Sequence, residues 1–549
     1  MGNRRLTSLN EYLAQITDLA NRHLAYRWGW YAASAGLVLL IGAGYWGAAD
    51  RCGRSGYPLD DAWIHQCYAR TLAQTGQFAF APGQPSTGST SLLWTLLLSL
   101  GHLLRLPPVP WSYGLGALAW LLTAWTAQRL ARRLFPRQRS RVPWVALACL
   151  LEWHLAWAAL SGMESMLFCF LSLLLLERYA ARAPSLGIGV VGGFLVLTRP
   201  EGLILVGAVL LATLAERQHL RTARGIGQTR VSRVLFLLLG LAAVVLPYLA
   251  LNLSISGQLF PSTLYAKQAE YRELLDQPLW RRLWVVARRP LIGAQMLLLP
   301  GFVWQAYVVQ RSQIRSIKET QTPNVRAQAG QAESESLPSW ATLLPLAWWA
   351  TYHGIYALRL PVDYQHGRYL MPALPILLLY GVPGTLDRLR WATQEKRAQR
   401  FHRVWTRALA GALGILSLAF LVLGGQAYAE DRCIIRQEMV DVALWLRDNT
   451  PSNARVAAHD IGAIGYWARR PLLDLAGLIN PEVIPVMRDE SRLIEYIVDQ
   501  KTDYLVVFPS WYPILVQDDR LLPVYPTQGQ AMPPPDRDHM TIYHIPPAP

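Results

Sequence analysis

Long apolar runs separated by short arginine-rich breaks dominate the chain, and they set the first expectations. The run from Trp28 to about Ala49 is long enough for a helix of about 20 residues to cross a hydrocarbon core of about 30 Å. Arg4, Arg5, Arg22 and Arg27 precede it, which predicts a cytoplasmic N-terminus and a retained signal anchor; a cleaved leader has a shorter apolar region nearer Met1. From about 50 to 91 the chain is polar and aromatic. This reads as a first external loop, with an amphipathic helix near Tyr68-Ala69-Arg70-Thr71-Leu72 and a turn at Pro82-Gly83-Gln84-Pro85.

Two apolar stretches follow, 92–106 and 112–128. If both crossed, the loop holding Arg129, Arg132, Arg133, Arg137, Arg139 and Arg141 would lie outside, so one of them, the shorter first, is expected to be interfacial or re-entrant. Further crossings are expected at about 143–160, 164–181, 186–198, 201–215, 233–252, 288–310, 340–358, 370–386 and 404–428. After Tyr428 the apolar content falls. Helical patterns at 434–446 and 491–498 alternate with strand patterns at 455–458, 472–475 and 504–508. The expected fold is therefore a polytopic α-helical membrane protein of about eleven transmembrane helices over 1–428. A C-terminal α/β domain over 429–549 follows, extracytoplasmic by the same parity. The segment 321–339 is low in complexity, and the tail around Pro533-Pro534-Pro535 is expected to be irregular.

Composition agrees with a membrane class: 52% of the 549 residues are hydrophobic and 16% are charged, against about 25% charged in soluble domains. A net charge of +16 would suggest nucleic acid in a soluble protein. Here the arginines cluster in short loops, so the partner is membrane lipid, no nucleic acid is expected, and the place is the inner cell membrane. Cys149 and Cys169 fall inside predicted helices and read as packing residues. Cys52 and Cys67 share the first loop and are the pair considered for a disulfide in an oxidising space, which leaves Cys433 unpaired.

The same parity brings several chemically dense strings to one side: Asp60-Asp61, Glu164 in Ser161-Gly162-Met163-Glu164-Ser165, Arg199 in Thr198-Arg199-Pro200-Glu201-Gly202, Tyr265 and Lys267, and His366-Gly367-Arg368-Tyr369. A charge at mid-bilayer costs about 2.5 to 3.5 kcal/mol, so convergent charges suggest a working cavity. Acids, cations and aromatics at a membrane surface suit a substrate with a lipid tail, a phosphate and a sugar. Sugar transfer needs a base for the acceptor hydroxyl, worth roughly 10² to 10⁴-fold, and cations over the departing phosphate. Phosphate leaves without protonation, so the second carboxylic acid of glycoside hydrolysis is not needed. Glu164 is read as lining this cavity, either orienting the acceptor or sharing a divalent cation with Asp60. No His or Cys spacing supports a dedicated metal site, and no cofactor is required.

Each residue also has a plainer reading. Asp60 or Asp61 would cap a helix over 63–73, Arg199 would snorkel, and His353 and His366 would be structural. Trp63, Trp94, Tyr265, Tyr352 and Tyr369 would belong to an interfacial belt. A flippase or transporter of lipid-linked sugars is the rival function, although such proteins favour mid-membrane charges and internal repeats. A membrane-anchored binding protein is the third.

Taken in order, Asp60-Asp61-Ala62-Trp63-Ile64 with Tyr68-Ala69-Arg70, Gly88-Ser89-Thr90-Ser91-Leu92-Leu93-Trp94, Gly162-Met163-Glu164-Ser165, Thr198-Arg199-Pro200-Glu201-Gly202, Pro261-Ser262-Thr263-Leu264-Tyr265-Ala266-Lys267, His366-Gly367-Arg368-Tyr369, Asp460-Ile461-Gly462 and Asp474-Leu475-Ala476-Gly477 carry a resemblance over nearly the whole chain. The chain resembles integral membrane glycosyltransferases of the GT-C class, and within it the mycobacterial terminal arabinofuranosyltransferase and its bacterial relatives. Leu92 stands where those relatives tend to have proline. The resemblance implies a polyprenyl-phosphate-linked sugar donor, a glycan or lipid acceptor hydroxyl, an inverting single displacement, and Asp60 as base with Asp61 beside it. Glu164, Arg199, Tyr265, Lys267, His366, Arg368 and Tyr369 are the expected substrate contacts.

Overall fold

The structure, a computed structural model, describes residues 28–50, 53, 56–138, 140–216, 229–319, 337, 340–394, 399–529 and 539–547. Among these, four helices are long and apolar enough to cross a membrane: Trp28–Ala49, Arg230–Ser256, Tyr364–Leu389 and Val404–Asn449. Leu279–Leu291 and Ala294–Ile314 add a fifth if that pair, bent by 104°, counts as one. Eleven were expected. Several of the remaining apolar segments are short: the stretch 143–160 is two seven-residue helices, Trp144–Leu150 and Trp153–Ala159, and at the break between them Glu152 accepts the Leu155 N–H at 2.8 Å. Of the ambiguous pair, Leu92–Leu103 has 12 residues and Pro108–Leu134 has 27, about 18 and 40 Å at 1.5 Å per residue.

Small residues set the tightest helix contacts. At Gly189 a Cβ would fall 2.0 Å from the Leu237 carbonyl oxygen, so Ser185–Thr198 and Arg230–Ser256 touch backbone to backbone.

Between the first two apolar helices lies Asp60–Thr75, ended by Gly76 at φ 73, and then a hairpin of β1 (Ala79–Ala81) and β2 (Gln84–Pro85) around the Pro82-Gly83 turn. The C-terminal segment carries β3 (Val456–Ala458), β4 (Leu472–Asp474), β5 (Tyr504–Val507), β6 (Leu522–Pro526) and β7 (Thr541–His544) in the order β4-β3-β5-β7-β6. The first three strands are parallel, and β7 and β6 join antiparallel. Both faces are buried. Ala457, Leu505, Val507 and Tyr543 pack with Leu493, Ile494 and Ile497 of the helix Glu490–Asp499. The alternating Val456, Ala458, Val506 and Ile542 enter the main core with the helix Asp60–Thr75. The period of two thus fastens this sheet onto the membrane part of the chain.

One cysteine expectation is reversed. Cys67 is a free, buried thiol 3.8 Å from the Gly462 carbonyl oxygen, so the Cys52–Cys67 bridge is not formed, and it is Cys433 that is disulfide-bonded. The low-complexity segment 321–339, apart from Leu337, and the Pro533-Pro534-Pro535 part of the tail lie outside the described residues.

Candidate active site

Neither carboxylate of the acidic pair caps its own helix; the N-cap position is Leu59, with no side-chain bond. Asp60 reaches instead to the C-terminal segment, where its Oδ2 accepts the Gly462 N–H at 2.6 Å and its Oδ1 accepts the Ala463 N–H at 2.7 Å. These are the free donors at the start of the turn that continues through Ile464–Ala468, a place that favours a carboxylate. Burial, and then the charge of neighbouring Asp460, push the Asp60 carboxyl up to about 8 against the pull of both donors. Asp61 behaves oppositely. Burial would raise it, but Arg368 and then Lys267 hold it well below the usual carboxylate range.

The contact at Gly462 is close. A Cβ there would lie 2.1 Å from the Asp60 carbonyl oxygen and 2.7 Å from its Oδ2. Gly462→Val is therefore expected to destabilise the protein by about 1 to 3 kcal/mol through overpacking, read as a lower thermal midpoint in detergent. An unchanged midpoint would show slack in this joint.

Two cavities meet at the acidic pair. The larger, about 1110 Å³, is bounded at one end by Asp60, Asp61, Lys267, His366 and Arg368, and at the other by residues of the C-terminal segment. The smaller, about 190 Å³, is lined by Glu164, Arg199, Glu201, Tyr356 and Tyr369. Asp61, Lys267 and Arg368 face both and form the wall between them. Asp61 pairs with Arg368, whose other terminal nitrogen and Nε are buried without a hydrogen-bond partner in the protein. Lys267 donates to the Tyr369 hydroxyl at 2.8 Å, and Arg368 does so at 3.0 Å. The Tyr369 ring is flanked by Arg368, Arg199 and Lys267 at 4.9, 5.4 and 5.4 Å from its centroid, positions in which a cation is attracted to an aromatic ring. Arg199 is in turn held by Glu164 at 3.8 Å, Glu201 at 3.3 Å and the Tyr356 hydroxyl at 2.8 Å.

Arg368 is presented by an unusual backbone. Gln365, His366 and Gly367 stand consecutively at φ 51, 60 and 70, and a left-handed non-glycine residue costs about 1 to 3 kcal/mol unless its surroundings impose it. Here they do so from two sides. His366 Nε2 lies 2.8 Å from Asp431 Oδ2, which also accepts the Trp157 indole N–H at 2.9 Å. Asp363 pairs with Arg288 at 2.6 Å and Arg289 at 3.0 Å, and Gly367 packs on Arg289 so closely that a Cβ would sit 2.8 Å from the arginine Cβ.

Of the sequence candidates, Asp60, Asp61, Lys267, His366 and Arg368 gather on the larger cavity, and Glu164, Arg199 and Tyr369 on the smaller. Tyr265 lines neither and is 38% exposed. On the helix Ser262–Glu270, Thr263 and Leu264 share a face with Lys267, and Tyr265, two positions from the lysine, points elsewhere. Trp63 and Trp94 are buried packing residues; the latter donates to the Gly162 carbonyl at 2.9 Å. Asp60 lines the larger cavity and Glu164 the smaller. Among the described residues no group of three His, Cys, Asp or Glu is arranged to hold a metal. His65 escaped the sequence argument although it sits one turn from Asp61; its Nε2 is 3.4 Å from Glu164. Asp431 was missed as well, since only the fold brings it to His366.

Superposition on solved structures aligns nearly the whole chain. ArnT from Cupriavidus metallidurans in the apo state shares 13% identity and a TM-score of 0.56, covering 94% of this chain and 97% of that one. The Archaeoglobus fulgidus oligosaccharyltransferase in the apo form gives 12%, 0.54, 87% and 69%. Both are GT-C glycosyltransferases. The chain has the GT-C fold. Within it, the acidic pair lies between the membrane helices and the C-terminal sheet. The mycobacterial arabinofuranosyltransferase AftD aligns at 17% identity and a TM-score of 0.48, covering 94% of this chain and 40% of that one. Residues 430–543 match a family described as a domain of unknown function, DUF8728. No curated protein matches the sequence.

Proposed function

We propose that this GT-C chain is a membrane glycosyltransferase that moves a sugar from a polyprenyl-phosphate carrier to an acceptor hydroxyl, at the outer face of the inner membrane. The observation that carries this reading is Arg368: a buried guanidinium with two unsatisfied nitrogens, set beside Lys267 on a wall that also holds Asp61. A dry pair of cations with donors to spare suits phosphate oxygens. An ArnT structure holds undecaprenyl phosphate, and an archaeal oligosaccharyltransferase structure holds dolichol phosphate, carriers of this chemistry on the same fold.

The acceptor hydroxyl lies in the larger cavity, and Asp60 takes its proton as the oxygen attacks the anomeric carbon. The bond from that carbon to the phosphate oxygen breaks with inversion. The polyprenyl phosphate leaves with the electron pair, and Arg368 and Lys267 meet the charge that develops on it. Asp61 keeps both cations in place. Arg199, tied to Glu164 and Glu201, closes the smaller cavity on the donor side.

Asp60 suits the base role better than Asp61. A base works best with a pKa near the working pH, and Asp60 is raised towards that range while Asp61 is lowered away from it. The test is reconstitution in liposomes with radiolabelled polyprenyl-phosphate sugars and a mixed acceptor fraction from a bacterial envelope. Label is expected to pass from lipid to acceptor with release of polyprenyl phosphate. Movement of intact lipid-linked sugar across the bilayer without transfer would replace this reading with a flippase.

A further inference from the structure

The end of the larger cavity away from Arg368 is built differently. It is lined by Trp511, Tyr512, His459, Asp460, Glu270 and Glu490, and by Arg488. Its carboxylates Glu270, Asp460 and Glu490 stand against one arginine, Arg488, which is itself paired with Glu273, so this wall favours a neutral ligand over a phosphate. Trp511 ends the short turn Pro509–Trp511 that follows β5, and it stays 40% exposed beside buried Phe508 and Tyr512. Its ring is fixed rather than loose, meeting Phe508 at 5.0 Å and His459 edge-on at 5.2 Å and 81°.

Polar groups run from this indole back to the acidic pair. His459 Nδ1 is 2.7 Å from the Tyr512 hydroxyl, and its Nε2 is 3.7 Å from Glu270 Oε1. Asp460, the next residue, lies close enough to Asp60 to act on its charge. A braced indole open to a cavity, with carboxylates and an imidazole around it, matches a neutral polyhydroxylated ring. The C–H face of a sugar lies on the indole, and its hydroxyls donate to carboxylates.

We propose that Trp511, His459, Asp460 and Glu270 form an acceptor subsite, and that the acceptor is a saccharide whose ring stacks on Trp511 and turns a hydroxyl towards Asp60. This rests on the transfer reading for its biological sense, but the binding it asserts is independent of catalysis.

The test uses the full chain in detergent, without donor. Saturation-transfer NMR is recorded with neutral oligosaccharides (mannohexaose, arabinohexaose and cellohexaose), on wild type, Trp511→Ala and Trp511→Leu. The leucine variant keeps apolar bulk without a planar face, and thermal melts establish that each variant folds. Saturation of at least one glycan is expected in wild type, with affinity lower by about tenfold or more in both variants, as for a central aromatic anchor. Retained affinity in a folded variant, or no saturation of any glycan, would overturn the proposal. Failed sugar transfer with Trp511-dependent glycan binding would overturn the transfer reading alone; transfer to a saccharide indifferent to Trp511 would overturn only the subsite.

Discussion

Asp60→Asn is expected to lower kcat for sugar transfer by about 10² to 10⁴-fold, the share of a rate that a positioned base supplies, while polyprenyl phosphate still binds. The amide keeps the shape of the carboxylate but cannot take the hydroxyl proton. It also sets its NH₂ against a backbone N–H that Asp60 now accepts, either Gly462 or Ala463, so a lower melting midpoint should accompany the loss. The pH profile separates the two effects. As the proposed base Asp60 would act only when ionised, and its carboxyl is raised to about 8 by burial and by Asp460; kcat/KM in wild type should therefore climb as pH rises from 6 and level off above about 8. The residual rate of the variant should lack that limb. A wild-type profile flat from pH 6 to 9, or a folded Asp60→Asn enzyme with full kcat, would assign the proton to another group.

Arg368→Lys should reduce kcat/KM by about 10² to 10³-fold, the usual loss on removing a donor aimed at developing charge. Lysine keeps a cation opposite Asp61, so the carboxylate is not abandoned, but one ammonium cannot replace the two unpartnered guanidinium nitrogens. Inhibition by free polyprenyl phosphate should weaken in the same proportion. If inhibition were unchanged while kcat fell, the arginine would be orienting Asp61 rather than meeting the phosphate.

Much of the site could be read from the chain because membrane burial makes isolated charges conspicuous. Asp60-Asp61 and Arg368 stand close to apolar runs, where a charge is costly without a task, and with Lys267 of the polar helix Ser262–Glu270 they converge on one cavity. Helical period explains why Tyr265 lines neither cavity although it stands beside Lys267 in the sequence: two positions along a helix are nearly opposite. Other features had no local trace. The bonds from Gly462 and Ala463 to Asp60 join segments far apart in sequence, and no propensity announces two left-handed non-glycine residues at Gln365 and His366; the clamps from Asp431 and Asp363 impose them. Helix length misled in the same way, since the break at Glu152 falls within a run that reads as continuously apolar.

The bond between Asp60 and the start of the 462–468 turn also makes assembly a titration. Before the C-terminal sheet docks, Asp60 faces water with an ordinary carboxyl pKa near 4; after docking it is raised to about 8. Between those values the docked form holds a proton that the undocked form has released, so docking takes up a proton from solution. As far as this group decides it, docking is strongest below pH 4, weakens as pH rises towards about 8, and is level above. The ionised carboxylate that the proposed base role needs is thus the form in which docking is weakest.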